Sequence, residues 1–112
     1  MNNMAQLMQQ AQAMQARMQD AQAQIAQSVE TGTAGSGRVT VVLAGTGELR
    51  SVTIDPGLLT PDDGETAADG EMLADLITAA HADAKAKLDA ASQRLLSEAA
   101  GPLAGMAGLP NF

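Results

Sequence analysis

The chain has 112 residues, with six Lys or Arg against thirteen Asp or Glu, a formal charge of −7, and a single aromatic residue, Phe112. It has no cysteine, which excludes a disulfide framework, a zinc knuckle and a thiol nucleophile. The length suits one domain, and the thin aliphatic core it allows would be enlarged by dimerisation.

The first 27 residues read as a long helix. Met4, Leu7, Ala11, Met14, Met18, Ala21 and Ile25 keep an unbroken 3-4 spacing, and nine glutamines cover the remaining surface. That is a narrow a/d seam of about 40 Å, which asks for a partner helix from the same chain, a second copy, or both. These seven residues are the expected dimer seam. The methionines could also form an adaptable protein-binding surface.

Glycines at 32, 35 and 37 end the helical reading, and 28–34 can form a short strand. Residues 38–44 alternate Val39, Val41 and Leu43 against Arg38, Thr40 and Val42. Gly45-Thr46-Gly47 then closes a hairpin with 48–54, which stops at Asp55-Pro56-Gly57. Residues 55–68 are a turn-rich connection. A second long helix is predicted from about Ala68 to Ala100, capped by Thr66 or Asp69 and stopped by Gly101-Pro102. The Gly/Ala/Pro-rich segment 102–112 is expected to be a flexible tail, leaving 1–101 as one domain.

The acidity is concentrated in the middle of the chain. Residues 55–83 hold Asp55, Asp62, Asp63, Glu65, Asp69, Glu71, Asp75 and Asp83 with no base, whereas the segments on either side are nearly balanced. The block lacks the spacing and central glycine of a calcium loop, so it reads as solubilising surface and helix start. Gly32-x4-Gly37 imitates a phosphate loop, but Arg38-Val39 follow and a strand comes next instead of a helix. His81 is the only histidine and has no nucleophile or second ligand at a recognisable spacing. No enzyme, metal, cofactor or small-molecule substrate is expected. Without a run of about 18 apolar residues or a signal-peptide pattern, the expected setting is cytoplasmic and free of membrane.

Composition argues against a strong nucleic-acid binder, because there is no basic run and no aromatic for base stacking. Each helical base also has an acid at helical spacing: Arg17 with Asp20, Lys87 with Asp83, Lys85 with Asp89, Arg94 with Glu98.

The order of the motifs nevertheless resembles the YbaB/EbfC family of bacterial nucleoid-associated proteins. The resemblance is carried by the opening helix (Met4, Leu7, Met8, Met14, Met18), then Glu30, Gly32, Ala34-Gly35 and Gly37, followed by Val39, Val41, Gly45 and Gly47-Glu48. It continues through Val52-x-Ile54-Asp55-Pro56, the Glu71-Met72-Leu73-x-Asp75-Leu76-Ile77-x-Ala79-Ala80 helix start, and Gly108-Leu109-Pro110. It implies an α+β fold of order α-β-β-β-α, a small antiparallel sheet flanked by two long helices, and a tweezers-like homodimer. It also implies binding to double-stranded DNA with little sequence preference, and a role in nucleoid organisation or gene regulation. Local charge selects Arg17, Lys85, Lys87 and Arg94 as the candidate DNA contacts. The alternative is a protein-interaction adaptor that works through the Met/Gln-rich arms without nucleic acid.

Overall fold

A computed structural model describes residues 2–60 and 67–101. Its elements follow the order α1 (Asn2–Gln27), β1 (Val29–Ala34), β2 (Val39–Ala44), β3 (Leu49–Ile54), α2 (Pro56–Leu59) and α3 (Gly70–Ala100). This is the expected α+β layout with one addition, the single turn of α2. The expected flexible tail at 102–112, the Thr66 cap, and Asp62, Asp63 and Glu65 lie outside the described residues.

Helix α1 forms because Ala, Gln, Met and Leu dominate it and no β-branched residue precedes Ile25. Ser28 ends it, its amide and hydroxyl both donating to the Ile25 carbonyl. The strands make an antiparallel meander in the order β1-β2-β3. Between β1 and β2 the chain turns through positive φ at Gly35, Ser36 and Gly37. Between β2 and β3 the Gly45–Gly47 turn closes with Gly47 N–H donating to Ala44 O at 2.8 Å. The register shifts there, Val42 pairing with Ser51 and Leu43 with Leu49, so Arg50 is the extra residue of a bulge.

The α2 turn follows from Asp55-Pro56. Asp55 caps it by accepting from the Gly57 amide at 2.9 Å, and Pro56 supplies a helical φ at N1. Its Leu58 is buried and joins the core, which explains why the strand's stop signal also starts a helix. Helix α3 starts at Gly70, two residues later than expected. Asp69 takes the cap by accepting from the Met72 amide at 2.7 Å, and Glu71 sits in the first turn.

The core lies between α3 and one face of the sheet. Val39, Val41 and Leu43 point inward from the central strand, opposite Ala80, Ala84 and Leu88. The alanines permit a close approach, and Gly32 of β1 completes it. A Cβ at Gly32 would strike the backbone at Ala80 and Ala84. Gly32 is therefore a packing residue inside a strand and not a turn glycine of the Gly32-x4-Gly37 stretch. Helix α3 covers β1 and β2 but hardly reaches β3.

Beyond the sheet, α3 continues as an arm and meets α1. Leu95 and Ala99 of α3 share a cleft with Ala21, and the Arg17 guanidinium lies beside Gly101, so the two helices run in opposite directions. The residues of α1 before Arg17 project past the end of α3. The molecule is correspondingly long, 79 × 26 × 18 Å.

Candidate nucleic-acid interface

The expected seam of α1 divides in two. Ala21 is buried, and Met14, Met18 and Ile25 are half-buried. Part of the partner helix that the heptad asks for is thus α3 of the same chain. Met4 and Leu7 remain 72% and 63% exposed, and Ala11 is exposed too. Met8, one position off the seam, adds to this uncovered apolar tip.

The four candidate bases lie on the two arm helices, but they do not form one cluster. At about 100° per residue, Lys87 and Arg94, seven apart, share a flank of α3, whereas Lys85 lies about 200° from Lys87 on the opposite flank. Arg17 lines the α1–α3 cleft with Asp20 and Gln24, facing Leu95, Glu98 and Ala99 across a volume of about 190 Å³. Its guanidinium lies 3.8 Å from where a Cβ on Gly101 would be, next to the carbonyl end of α3, a favourable place for a cation.

Two of the four expected ion pairs form among the described residues. Lys87 Nζ lies 3.2 Å from Asp83 Oδ2, and Lys85 Nζ lies 3.5 Å from Asp89 Oδ2. The expected pairs of Arg17 with Asp20 and of Arg94 with Glu98 do not close. Order favours the closer pair, since acid before base, as in Asp83–Lys87, suits the helix dipole better than base before acid, but it does not separate Lys85–Asp89, which closes, from Arg94–Glu98, which does not. Asp20 instead accepts from Gln24 Nε2 at 2.9 Å, while Arg17 turns to the end of α3.

Lys87 has a further partner. Its ammonium donates to the Thr31 carbonyl at 3.0 Å, and Asp83 Oδ2 accepts from the Thr33 amide at 3.0 Å. Both backbone groups lie on the outer edge of β1, so the pair fastens α3 to that edge. The Thr33 amide, and then Lys87, hold the Asp83 carboxyl below the ordinary aspartate value. Sequence spacing announces the Asp83–Lys87 pair, but nothing in the sequence announces its reach to β1. Arg94 is exposed and belongs to neither ion pair, so its charge is fully available to a ligand.

The acids in the described part of the 55–83 block lie mainly at the opposite end from the arm tip. Asp55 caps α2, Asp69 caps α3, and Glu71 and Asp75 lie in the first turns of α3. No described helix is long and apolar enough to cross a membrane.

Fold and site together define an elongated α+β binding protein whose helical arms carry four of its six bases. Residues 1–103 match the YbaB/EbfC DNA-binding family, and the chain belongs to that family. The family is one of nucleoid-associated DNA-binding proteins and not of enzymes. A nucleoid-associated protein of Caulobacter sp. (strain K31) is 53% identical over 113 residues, covering 100% of this chain and 98% of the relative. A second, of Phenylobacterium zucineum (strain HLK1), is 51% identical and covers 100% and 99%. The fold also matches the crystal structure of an uncharacterized Helicobacter pylori protein, HP0035. The TM-score is 0.65 at 23% identity, covering 87% of this chain and 96% of the other.

Proposed function

We propose that the chain acts at the nucleoid, in the cytoplasm, as a homodimer that binds double-stranded DNA weakly and with little sequence preference. It would thereby contribute to nucleoid organisation or gene regulation. The observation that carries this reading is the placement of charge. The exposed bases Arg17, Lys85, Lys87 and Arg94 stand on α1 and α3, while the acids at 55–75 gather toward the start of α3. A phosphate backbone is repelled from that end, and along the arms, where Asp20, Asp83, Asp89 and Glu98 match the four bases in number, it meets Arg17 and Arg94, which belong to neither ion pair. The absence of any aromatic other than Phe112 leaves no base-stacking platform among the described residues, in keeping with backbone contact.

The four bases do not contribute equally. Arg94 is unpaired and leads, and Arg17 follows from the neighbouring helix. Lys87 offers one remaining donor after Asp83 and Thr31, and Lys85 faces the other flank.

Titration of duplex DNA at rising salt tests the reading. Affinity should fall with a log–log slope of about −0.9 per phosphate neutralised. R94A should weaken binding uniformly across sequences and make the slope shallower by about 1 for each Arg94 of the dimer that contacts a phosphate. Absence of binding at low salt would sink the proposal and leave the exposed Met4, Leu7 and Met8 tip to serve a protein partner instead.

A further inference from the structure

The outer half of the α1 seam is an apolar stripe that no described element covers. Met4, Leu7 and Met8, neighbours on one face of the helix, are 72%, 63% and 60% exposed. Single exposed apolar residues are ordinary, but large ones grouped on one face mark an interaction site. Residues 2–16 carry no charged side chain, so the stripe has no ionic rim.

Helix α3 cannot supply the cover. It runs antiparallel to α1 and ends at Gly101, beside Arg17, and Pro102 bars it from going further as a helix. The chain after Gly101 therefore starts at the root of the uncovered stripe, with α3 pointing toward its tip. Residues 102–112 hold no charged side chain, and Leu103, Met106, Leu109 and Phe112 recur at every third position. The lengths agree as well. Arg17 and Met4 are thirteen residues apart on a helix, about 20 Å at 1.5 Å per residue, and eleven extended residues span up to about 36 Å.

We infer that residues 103–112 continue along α1 of their own chain and seat Leu109 and Phe112 on the tip formed by Met4, Leu7 and Met8. Three arguments select this occupant. Neither surface has a charged side chain to desolvate, so the contact carries no ionic penalty. The tether through Gly101 holds the segment near the stripe at an effective concentration in the millimolar range, where contacts too weak to capture a free partner suffice. Phe112, the only aromatic of the chain, meets methionine thioethers, which favour the edge of a ring. Ala104, Gly105, Ala107 and Gly108 separate the larger residues and let the backbone approach the helix closely. Such a cover leaves the α1–α3 contact as it is, so side-chain access reports it and melting does not.

The inference rests on the geometry of the arm and stands apart from the DNA reading. Oxidation of the full chain by dilute hydrogen peroxide, followed methionine by methionine in a mass spectrometer, tests it. Peroxide turns each thioether into a sulfoxide and is itself reduced to water, at a rate that follows access. In the L109D/F112D variant Met4 and Met8 should oxidise severalfold faster than in the parent chain, while Met72 at the start of α3 keeps its rate and the helical circular dichroism is unchanged. Equal rates of Met4 and Met8 in the two proteins would overturn the inference. So would rates that rise when the parent chain is diluted, because a second copy would then be the cover. In a chain without cysteine, M4C combined with F112C should close to a disulfide within one chain. A disulfide that joins two chains would give the tip to another copy and overturn the inference too.

Discussion

At the residue scale, Asp83 and Lys87 show how a helical ion pair takes on a tertiary role. Their spacing alone would contribute a few tenths of a kcal/mol to α3. Contact with Thr33 and Thr31 converts the pair into a clip between helix and sheet edge. Because the Asp83 carboxyl is held below its ordinary value in the folded chain, the clip stabilises fully above about pH 4, the unfolded aspartate range, and is lost as pH falls through the lower folded value. D83N should therefore lower the melting temperature at pH 6, and the gap to the parent protein should narrow toward pH 3. A gap that stays constant with pH would show that the carboxylate's charge is irrelevant. Lys87 and Arg94 separate along the same lines. K87E should cost thermal stability as well as DNA affinity, and R94E affinity only.

At the element scale, two close approaches decide how the helices sit. Gly32 lets α3 rest on β1, and Gly45 backs onto the Ile25 carbonyl at the end of α1, where a Cβ would collide. Gly32→Ala should destabilise the protein by about 1–3 kcal/mol, because backbone must move to make room for the methyl group. A melting curve identical to the parent's would mean that α3 does not lie where it is described. The α1–α3 contact makes a second prediction. Met18→Asp puts a carboxylate into a half-buried position against α3 and should cost about 1–2 kcal/mol, seen as early loss of helical signal on heating. The same change at exposed Met4 should cost nothing measurable. Met18 thus reports on the arm within one chain before it reports on any dimer.

At the scale of the whole molecule, a chain of net charge −7 is reconciled with DNA by the separation of its charges. The arms and the start of α3 lie at different ends of a body 79 Å long. Along α3, however, Asp75 and Lys85 are ten residues and so about 15 Å apart, roughly two Debye lengths at physiological salt. The acids at the start of α3 are thus largely screened from the arm bases, whose local opponents are Asp20, Asp83, Asp89 and Glu98 on the arms themselves. At low salt, where screening is weaker, neutralising Glu71 and Asp75 by E71Q and D75N should raise DNA affinity severalfold. The effect should fade as salt rises. Equal affinity at low salt would show that the acid block exerts no restraint.

Elements and their order were legible in the sequence because each rests on local rules. The 3-4 spacing from Met4 to Ile25, the alternation at Val39, Val41 and Leu43, and the Asp55-Pro56 and Gly101-Pro102 stops all act within a few residues. The family resemblance rested on those same signals in their order. Only α2 escaped, because the turn that ends β3 needs the core to draw Leu58 inward. What tertiary structure alone decided is which surfaces are spent and which remain. Half of the α1 seam is used on α3, Lys87 is turned toward β1, and Arg94 is left free. These outcomes depend on contacts between residues 50 or more positions apart, such as Thr33 with Asp83. Spacing along a helix fixes which side chains are neighbours on that helix, but not which strand edge lies beneath them.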